Sequence, residues 1–173
     1  MKNILGVLVL ITFLAGCASQ SKKVTTTDPA APVETKKITS TGVVHATAKH
    51  GDLSPGHFGE LIVALDIDDG YHVNANPPTF PYLKPTELLL SPSDGFASSA
   101  VSYPTAITRK FPFADKPLAV YEGHCELTAT VYVDAKAPKG EQSLAAIVRV
   151  QACDDQVCYP PGQIELRIPV TVK

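Results

Sequence analysis

Four stretches of this chain carry apolar residues at every second position, and no stretch carries them at the three-to-four spacing of a helical face. Leu61, Val63, Leu65 and Ile67 form one set, and Cys125, Leu127, Ala129, Val131 and Val133 a second. Val148, Val150 and Ala152 form a third, and Ile164, Leu166, Ile168, Val170 and Val172 a fourth. A period of two gives an extended segment one buried and one solvated face. The sets are separated by turn chemistry at Asp68-Asp69-Gly70, from Pro92 to Gly95, and at Lys139-Gly140. Thr86 to Leu90 reads as a further short strand. Asn76-Pro77-Pro78, with Pro81 and Pro85, reads as a stiff, non-helical crossover, because proline lacks the amide proton a helix needs. About seven or eight short strands with regular turn signals predict an all-β fold, an antiparallel β-sandwich. There is no internal repeat and no sign of a second domain.

The N-terminus obeys a different pattern. Lys2 precedes an almost purely apolar run from Ile4 to Leu14, followed by Leu14-Ala15-Gly16-Cys17. The run is too short to span ~30 Å of hydrocarbon, so it reads as a signal peptide over residues 1–16 rather than an anchor. The small residues before the cysteine resemble the lipobox of bacterial lipoproteins, in which the thiol of Cys17 is acylated. That resemblance implies a lipid tether outside the cytoplasm. Ala18 stands where an Asp signals inner-membrane retention, which favours the outer membrane. Ala18 to Ser40 is rich in Ser, Thr, Lys, Pro and Ala and nearly free of large apolar residues. Such a segment cannot bury enough surface to offset its ordering entropy, so residues 17–41 read as a lipidated, flexible stalk. The folded domain is expected over 42–173. A formal net charge of -2 gives no basis for nucleic-acid binding.

With Cys17 assigned to lipid, Cys125, Cys153 and Cys158 remain in an oxidising compartment. Cys153 and Cys158 bracket the loop Asp154-Asp155-Gln156-Val157 between two strand signals. Opposed residues of an antiparallel hairpin lie ~4.5–5.5 Å apart at Cα, so a bond between these two is geometrically easy. Chain entropy gives roughly 2 kcal/mol for so small a ring, which makes the bond a weak staple. Spacing alone does not decide between a local structural bridge and a redox centre. Cys125 shares a face with Leu127 and Val131, which predicts a buried, inert thiol; pairing with one of the other two is the alternative. His124 falls on the opposite face, against a His-Cys metal pair.

The run Gln151-Ala152-Cys153 with Cys158-Tyr159-Pro160-Pro161 resembles the active-site hairpin of the N-terminal periplasmic domain of DsbD, the thiol:disulfide interchange protein. Asp69-Gly70-Tyr71-His72-Val73-Asn74-Ala75-Asn76-Pro77-Pro78, Tyr82, Pro85-Thr86-Glu87-Leu88 and Val120-Tyr121-Glu122-Gly123 are similar to homologues of that domain. The resemblance covers roughly 58–172 and implies an immunoglobulin-like sandwich. It implies that Cys158 forms the mixed disulfide with a partner and that Cys153 resolves it. It implies an aromatic cap over the disulfide, for which Phe113 is the first candidate and Phe111 the second; both are otherwise core aromatics. His72 and Asn74 align with residues lining the family site, although a half-exposed strand histidine is the plainer reading of His72. Tyr159 is expected to pack beside Cys158. Asp154 and Asp155 would disfavour a thiolate at Cys153 or simply build the turn.

The hairpin loop is one residue shorter than in the best-known members. Neither a membrane electron-transfer domain nor a thioredoxin-like domain is seen, so electrons are expected to pass to and from separate thioredoxin-like periplasmic proteins, with a membrane electron-transfer protein as a further partner. No cofactor is expected. His45, His50 and His57 gather near the domain start, but the sole methionine is Met1, so no metal site is assigned. The rival reading is a non-catalytic, partner-binding lipoprotein whose disulfide pins a loop.

Overall fold

The computed structural model describes residues 37–173. The expected signal peptide, the expected lipidation of Cys17 and the expected stalk as far as residue 36 lie outside the described residues. A 3₁₀ turn at Ser40–Gly42 leads into β1 Val44–Ala48, β2 Gly51–Leu53, β3 Phe58–Ile67, β4 His72–Asn74, β5 Glu87–Leu90 and β6 Phe96–Ser102. Then follow β7 Ile107–Arg109, β8 Leu118–Tyr121, β9 His124–Val133, β10 Gly140–Val150, β11 Ala152–Cys153 and β12 Gly162–Val172. The strands exceed the expected number because β2, β4, β7 and β11 hold only two or three residues. A segment that short shows no periodicity; its neighbours in the sheet make it a strand.

Three sheets result, in the orders β1-β3-β9-β6, β2-β12-β10-β5 and β11-β4-β8-β7. Every pairing is antiparallel except β2 with β12, where Val170, Thr171 and Val172 run parallel to Gly51, Asp52 and Leu53. In the first sheet Val63 lies opposite Leu127, and Leu61 opposite Ala129. In the second, Leu144 lies opposite Ile168. These residues join Val131, Val148 and Val170 in one buried cluster between the sheets. Each fully buried Leu, Val or Ile contributes roughly 1.5–3 kcal/mol, so this seam dominates the fold's stability. The alternating sets read from the sequence are the inward faces of β3, β9, β10 and β12, with Ala152 of the third set passing into β11.

The third sheet is buried on both faces along β11, β4 and β8, while its edge strand β7 is exposed. Val73, Ala152 and Tyr121 face the main cluster. Val120 and Leu118 belong to a second, smaller cluster with Phe111, against which Phe80, Leu83 and Ala114 pack. Two loops roof that second face: the proline-rich crossover, 75–86, and the segment 110–117 between β7 and β8. The crossover is laced down, since Thr86 donates to the Asn74 carbonyl from its backbone N (3.1 Å) and its hydroxyl (2.8 Å). Asn76 Nδ2 donates to the Thr86 carbonyl at 3.0 Å, and Asn76 N to the Tyr121 hydroxyl at 3.0 Å. At the entry to β4 the Asp68-Asp69-Gly70 turn needs a positive φ, which Gly70 supplies at 83°.

Ser40, which composition places at the end of the stalk, is instead fully buried. Its hydroxyl donates to the Pro160 carbonyl at 2.6 Å and accepts from Ala152 N at 3.0 Å. A single serine thus ties the start of the fold to both ends of the cysteine hairpin. Composition missed it because one buried hydroxyl in a polar tract leaves no pattern. Ser40→Ala orphans a buried amide and a carbonyl, so a loss of about 1–3 kcal/mol is expected in urea denaturation. A loss below about 0.5 kcal/mol would show that water replaces the hydroxyl at no cost.

Candidate functional site

The hairpin after β11 closes through its own polar groups. Asp154 N donates to the Val157 carbonyl at 3.0 Å, and Tyr159 N to the Ala152 carbonyl at 2.8 Å. The Asp154 carboxylate accepts from Gln156 N and Val157 N, both at 2.8 Å, and from the Tyr159 hydroxyl at 2.5 Å. This is an Asx turn with a tyrosine clasp, so turn chemistry is what Asp154 does here. The Tyr159 hydrogen bond, then those two amides, hold the Asp154 carboxyl below its ordinary range. The same bond pushes the Tyr159 phenol up to about 12. Tyr159 also tilts against Tyr71, with ring centroids 6.1 Å apart.

Cys153 and Cys158 are joined as a disulfide with Cα atoms 3.9 Å apart, closer than the expected hairpin spacing. The two halves differ in access. Cys153 has no exposed surface, whereas Cys158 is half-buried. Cys158 sits at the edge of an open groove of about 380 Å³ that Tyr82, Leu83, Phe113, Leu118 and Val157 also line. Tyr82 is 72 % exposed, Val157 50 % and Phe113 40 %, so the groove's walls present apolar surface to solvent.

Cys153 pairs with His72 across β11 and β4. His72 is buried rather than half-exposed, because the 110–117 loop lays the Phe111 ring flat on its imidazole at 4.0 Å and 17°. Phe113 stacks on Phe111 in turn, at 5.4 Å. The two candidate cap residues therefore occupy different positions: Phe111 is buried over His72, and Phe113 stands exposed at the groove. Asn74 is fully buried, and its amide donates to the Lys84 carbonyl at 3.1 Å and to Gln151 Oε1 at 3.2 Å. Asn74 thus fastens the crossover. Gln151 also accepts from Lys84 N at 3.1 Å and donates to the Tyr159 carbonyl at 3.3 Å. It brackets the hairpin to its roof, a role the sequence offered no signal for beyond its place before Ala152. Phe80, Leu83 and Val157 were also missed, since a proline-rich crossover and a turn conceal which apolar side chains meet. His72 Nε2 and Asn74 Oδ1 are buried without a hydrogen-bond partner.

Beyond the His72–Phe111 stack lies a polar cleft of about 540 Å³, lined by Asp68, Asp69, Arg109, Lys110, Glu122 and Asp155 among others. Arg109 grips Glu122 with Nε at 2.9 Å from Oε1 and Nη2 at 2.7 Å from Oε2. Cys125 is free and half-buried against the main core, and burial pushes its thiol up to about 11. His45 bonds to Asp68 at 3.1 Å and His50 to Thr171 at 2.9 Å. Among the described residues no His, Cys, Asp and Glu side chains gather as a metal site. No helix there is long and apolar enough to cross a membrane.

The fold and site together define an immunoglobulin-like β-sandwich with one half-accessible disulfide on a self-closing hairpin. The family profile described as thiol:disulfide interchange protein DsbD, N-terminal, matches residues 43–168, and the chain belongs to that family. In structure the chain is similar to the reduced N-terminal domain of DsbD from Neisseria meningitidis, at 20% identity and a TM-score of 0.44, covering 64% of this chain and 77% of that one. It is also similar to the N-terminal periplasmic domain of ScsB from Proteus mirabilis, at 14% identity and a TM-score of 0.50, covering 72% of this chain. The chain spans only 44% of that ScsB structure. No curated protein matches the chain significantly.

Two histidines set opposite pH dependences. Burial lowers the His72 pKa below the ordinary 6.5, against the pull of Glu122. The unfolded chain then binds the proton more readily, so stability falls as pH drops below about 6.5. The exposed His124 is raised, chiefly by its hydrogen bond with Asp66; its contribution is full below 6.5 and fades as pH climbs through the raised value. In urea titrations, His72→Gln should flatten the loss of stability below about pH 6.5, and His124→Gln should flatten the loss as pH rises above about 6.5. An unchanged slope in His72→Gln would mean that the imidazole takes up its proton freely within the fold.

Proposed function

We propose that this domain carries electron pairs, cycling Cys153 and Cys158 between disulfide and dithiol and exchanging them with thioredoxin-like proteins of the periplasm. The observation that carries this reading is the unequal access of the two sulfurs in a DsbD-family hairpin: Cys158 reaches an open apolar groove while Cys153 is sealed beneath the roof. Exchange requires a thiolate to approach one sulfur along the S–S axis, so access selects Cys158 as the sulfur attacked.

In the reducing direction a partner thiolate attacks Cys158 Sγ. The Cys153–Cys158 bond breaks, and its electron pair leaves on Cys153, which takes a proton. The partner's second thiol then attacks its own sulfur in the mixed disulfide and releases Cys158. The domain gains two electrons and two protons, and the partner becomes a disulfide. Run backwards, the same steps deliver reducing equivalents to a partner disulfide. The hydrogen bonds of Asp154 and Tyr159 close the hairpin without using either sulfur, which suits a carrier rather than a staple. Phe113 is the cap residue in this reading, since it shares the groove with Cys158 and is held by one aromatic stack. Lipidated Cys17 would tether the domain at the outer membrane, and a membrane electron-transfer protein is a second source of electrons.

With Cys17→Ser and Cys125→Ala as background, Cys153→Ser should accumulate a mixed disulfide with a single-cysteine thioredoxin-like protein activated as its thionitrobenzoate disulfide, from which the Cys158 thiolate displaces thionitrobenzoate, resolved on non-reducing gels. Cys158→Ser should accumulate at least about tenfold less, because its remaining thiol is buried. Equal trapping by both variants would refute the assignment of Cys158, and trapping by neither would favour a structural bridge. In cells, Cys17→Ser should abolish incorporation of labelled palmitate and move the protein from the membrane pellet to the soluble periplasmic fraction. Retention in the pellet would rule out the lipid tether.

A further inference from the structure

The resolving step of exchange asks something of the fold that the two cysteines do not supply. When Cys158 holds a partner, Cys153 must attack it as a thiolate, yet Cys153 is fully buried. Burial disfavours the thiolate strongly, so the proton has to pass to a group inside the protein as the attack proceeds. The charged groups around the site are mostly committed. Asp154 is saturated by two amides and a phenol, and is held anionic by them. Glu122 is gripped by Arg109, and Tyr159 already donates to Asp154. Asp155 is exposed on the loop, and Lys110 is a cation.

His72 stands apart from these. Directly opposed residues of an antiparallel pair project from the same face, with Cβ atoms ~4.5–5.5 Å apart, and His72 is directly opposed to Cys153. Phe111 clamps its ring from one side, and its buried Nε2 has no hydrogen-bond partner. An unpaired buried acceptor costs about 1–3 kcal/mol, a cost explained if the atom is used in one stage of the reaction. We propose that His72 is the proton acceptor for Cys153 in the resolving step, and the donor to it in the reverse direction. This rests on the exchange function proposed above.

In the tautomer with its proton on Nδ1, His72 Nε2 takes the proton from the Cys153 thiol as Cys153 Sγ attacks Cys158 Sγ. The Cys153–Cys158 bond forms, the bond from Cys158 to the partner breaks, and the electron pair leaves on the partner's sulfur. The dithiol is oxidised and the partner disulfide is reduced by two electrons. Burial keeps the resting imidazole neutral and ready to accept; Glu122, Asp155 and Asp154 favour the imidazolium that forms, while Arg109 opposes it. Lys110, on the same cleft wall, adds to that opposition.

The reduced full chain carrying Cys17→Ser and Cys125→Ala, mixed with excess 5,5′-dithiobis(2-nitrobenzoate), reads both steps at once. Attack by Cys158 releases one thionitrobenzoate at a rate proportional to reagent; attack by Cys153 on the mixed disulfide releases the second at a rate independent of it. His72→Asn should leave the first release within about twofold and slow the second by about 100-fold or more, in line with the loss of a general base. It should also remove the fall of the second rate that sets in below the lowered His72 pKa, on the acid side of an ordinary imidazole. An unchanged second release, or an unchanged pH profile, overturns the assignment of His72. Absence of any second release in the parent chain instead overturns the exchange reading itself. Should the variant not fold, the His72 ring resonances of the parent chain decide by NMR. Their titration should differ between the disulfide and dithiol states, and identical titration in both would overturn the proposal.

Discussion

The site depends on one short strand being paired on both sides. β4 is three residues long, too short to persist alone, but β8 and β11 hold it between them. Strand alternation then divides its neighbourhood into two faces. Val73, Tyr121 and Ala152 enter the main core, which anchors the sheet; His72, Cys153 and Val120 are sent to the other face, beneath the crossover and the Phe111 loop. The ladder makes the burial of Cys153 and its registration with His72 a single event, since a slip of one residue would exchange the two faces.

The disulfide itself adds little that the hairpin lacks. The Asp154 turn, the Tyr159 clasp and Ser40 hold the loop and its ends through hydrogen bonds that involve neither sulfur. Reactivity is then governed by what surrounds each sulfur: an apolar groove at Cys158 and a closed roof at Cys153.

Charge is arranged with the same economy. Asp154, which by sequence alone looked like a repulsive neighbour for a thiolate, spends its carboxylate on the loop's own amides. Glu122 is held by Arg109 across the start of the polar cleft. The neutral, buried imidazole of His72 is left as the group on the Cys153 face with proton capacity to spare.

The alternation of Leu61–Ile67, Cys125–Val133 and Ile164–Val172 determined the sandwich, because burial on one face of an extended chain writes itself into the sequence with a period of two. The cysteine hairpin and its family were legible too, since spacing and neighbouring residues are local properties. What the sequence left open was decided by contacts between distant segments. Strands of two or three residues exist only through their partners, and Ser40 is bonded to residues more than a hundred positions away. The burial of His72, the difference between Phe111 and Phe113, and the unequal access of the two sulfurs all depend on how two loops settle over one sheet face. A local pattern carries no trace of that packing, because the residues that enclose the site are neighbours only after the chain has folded.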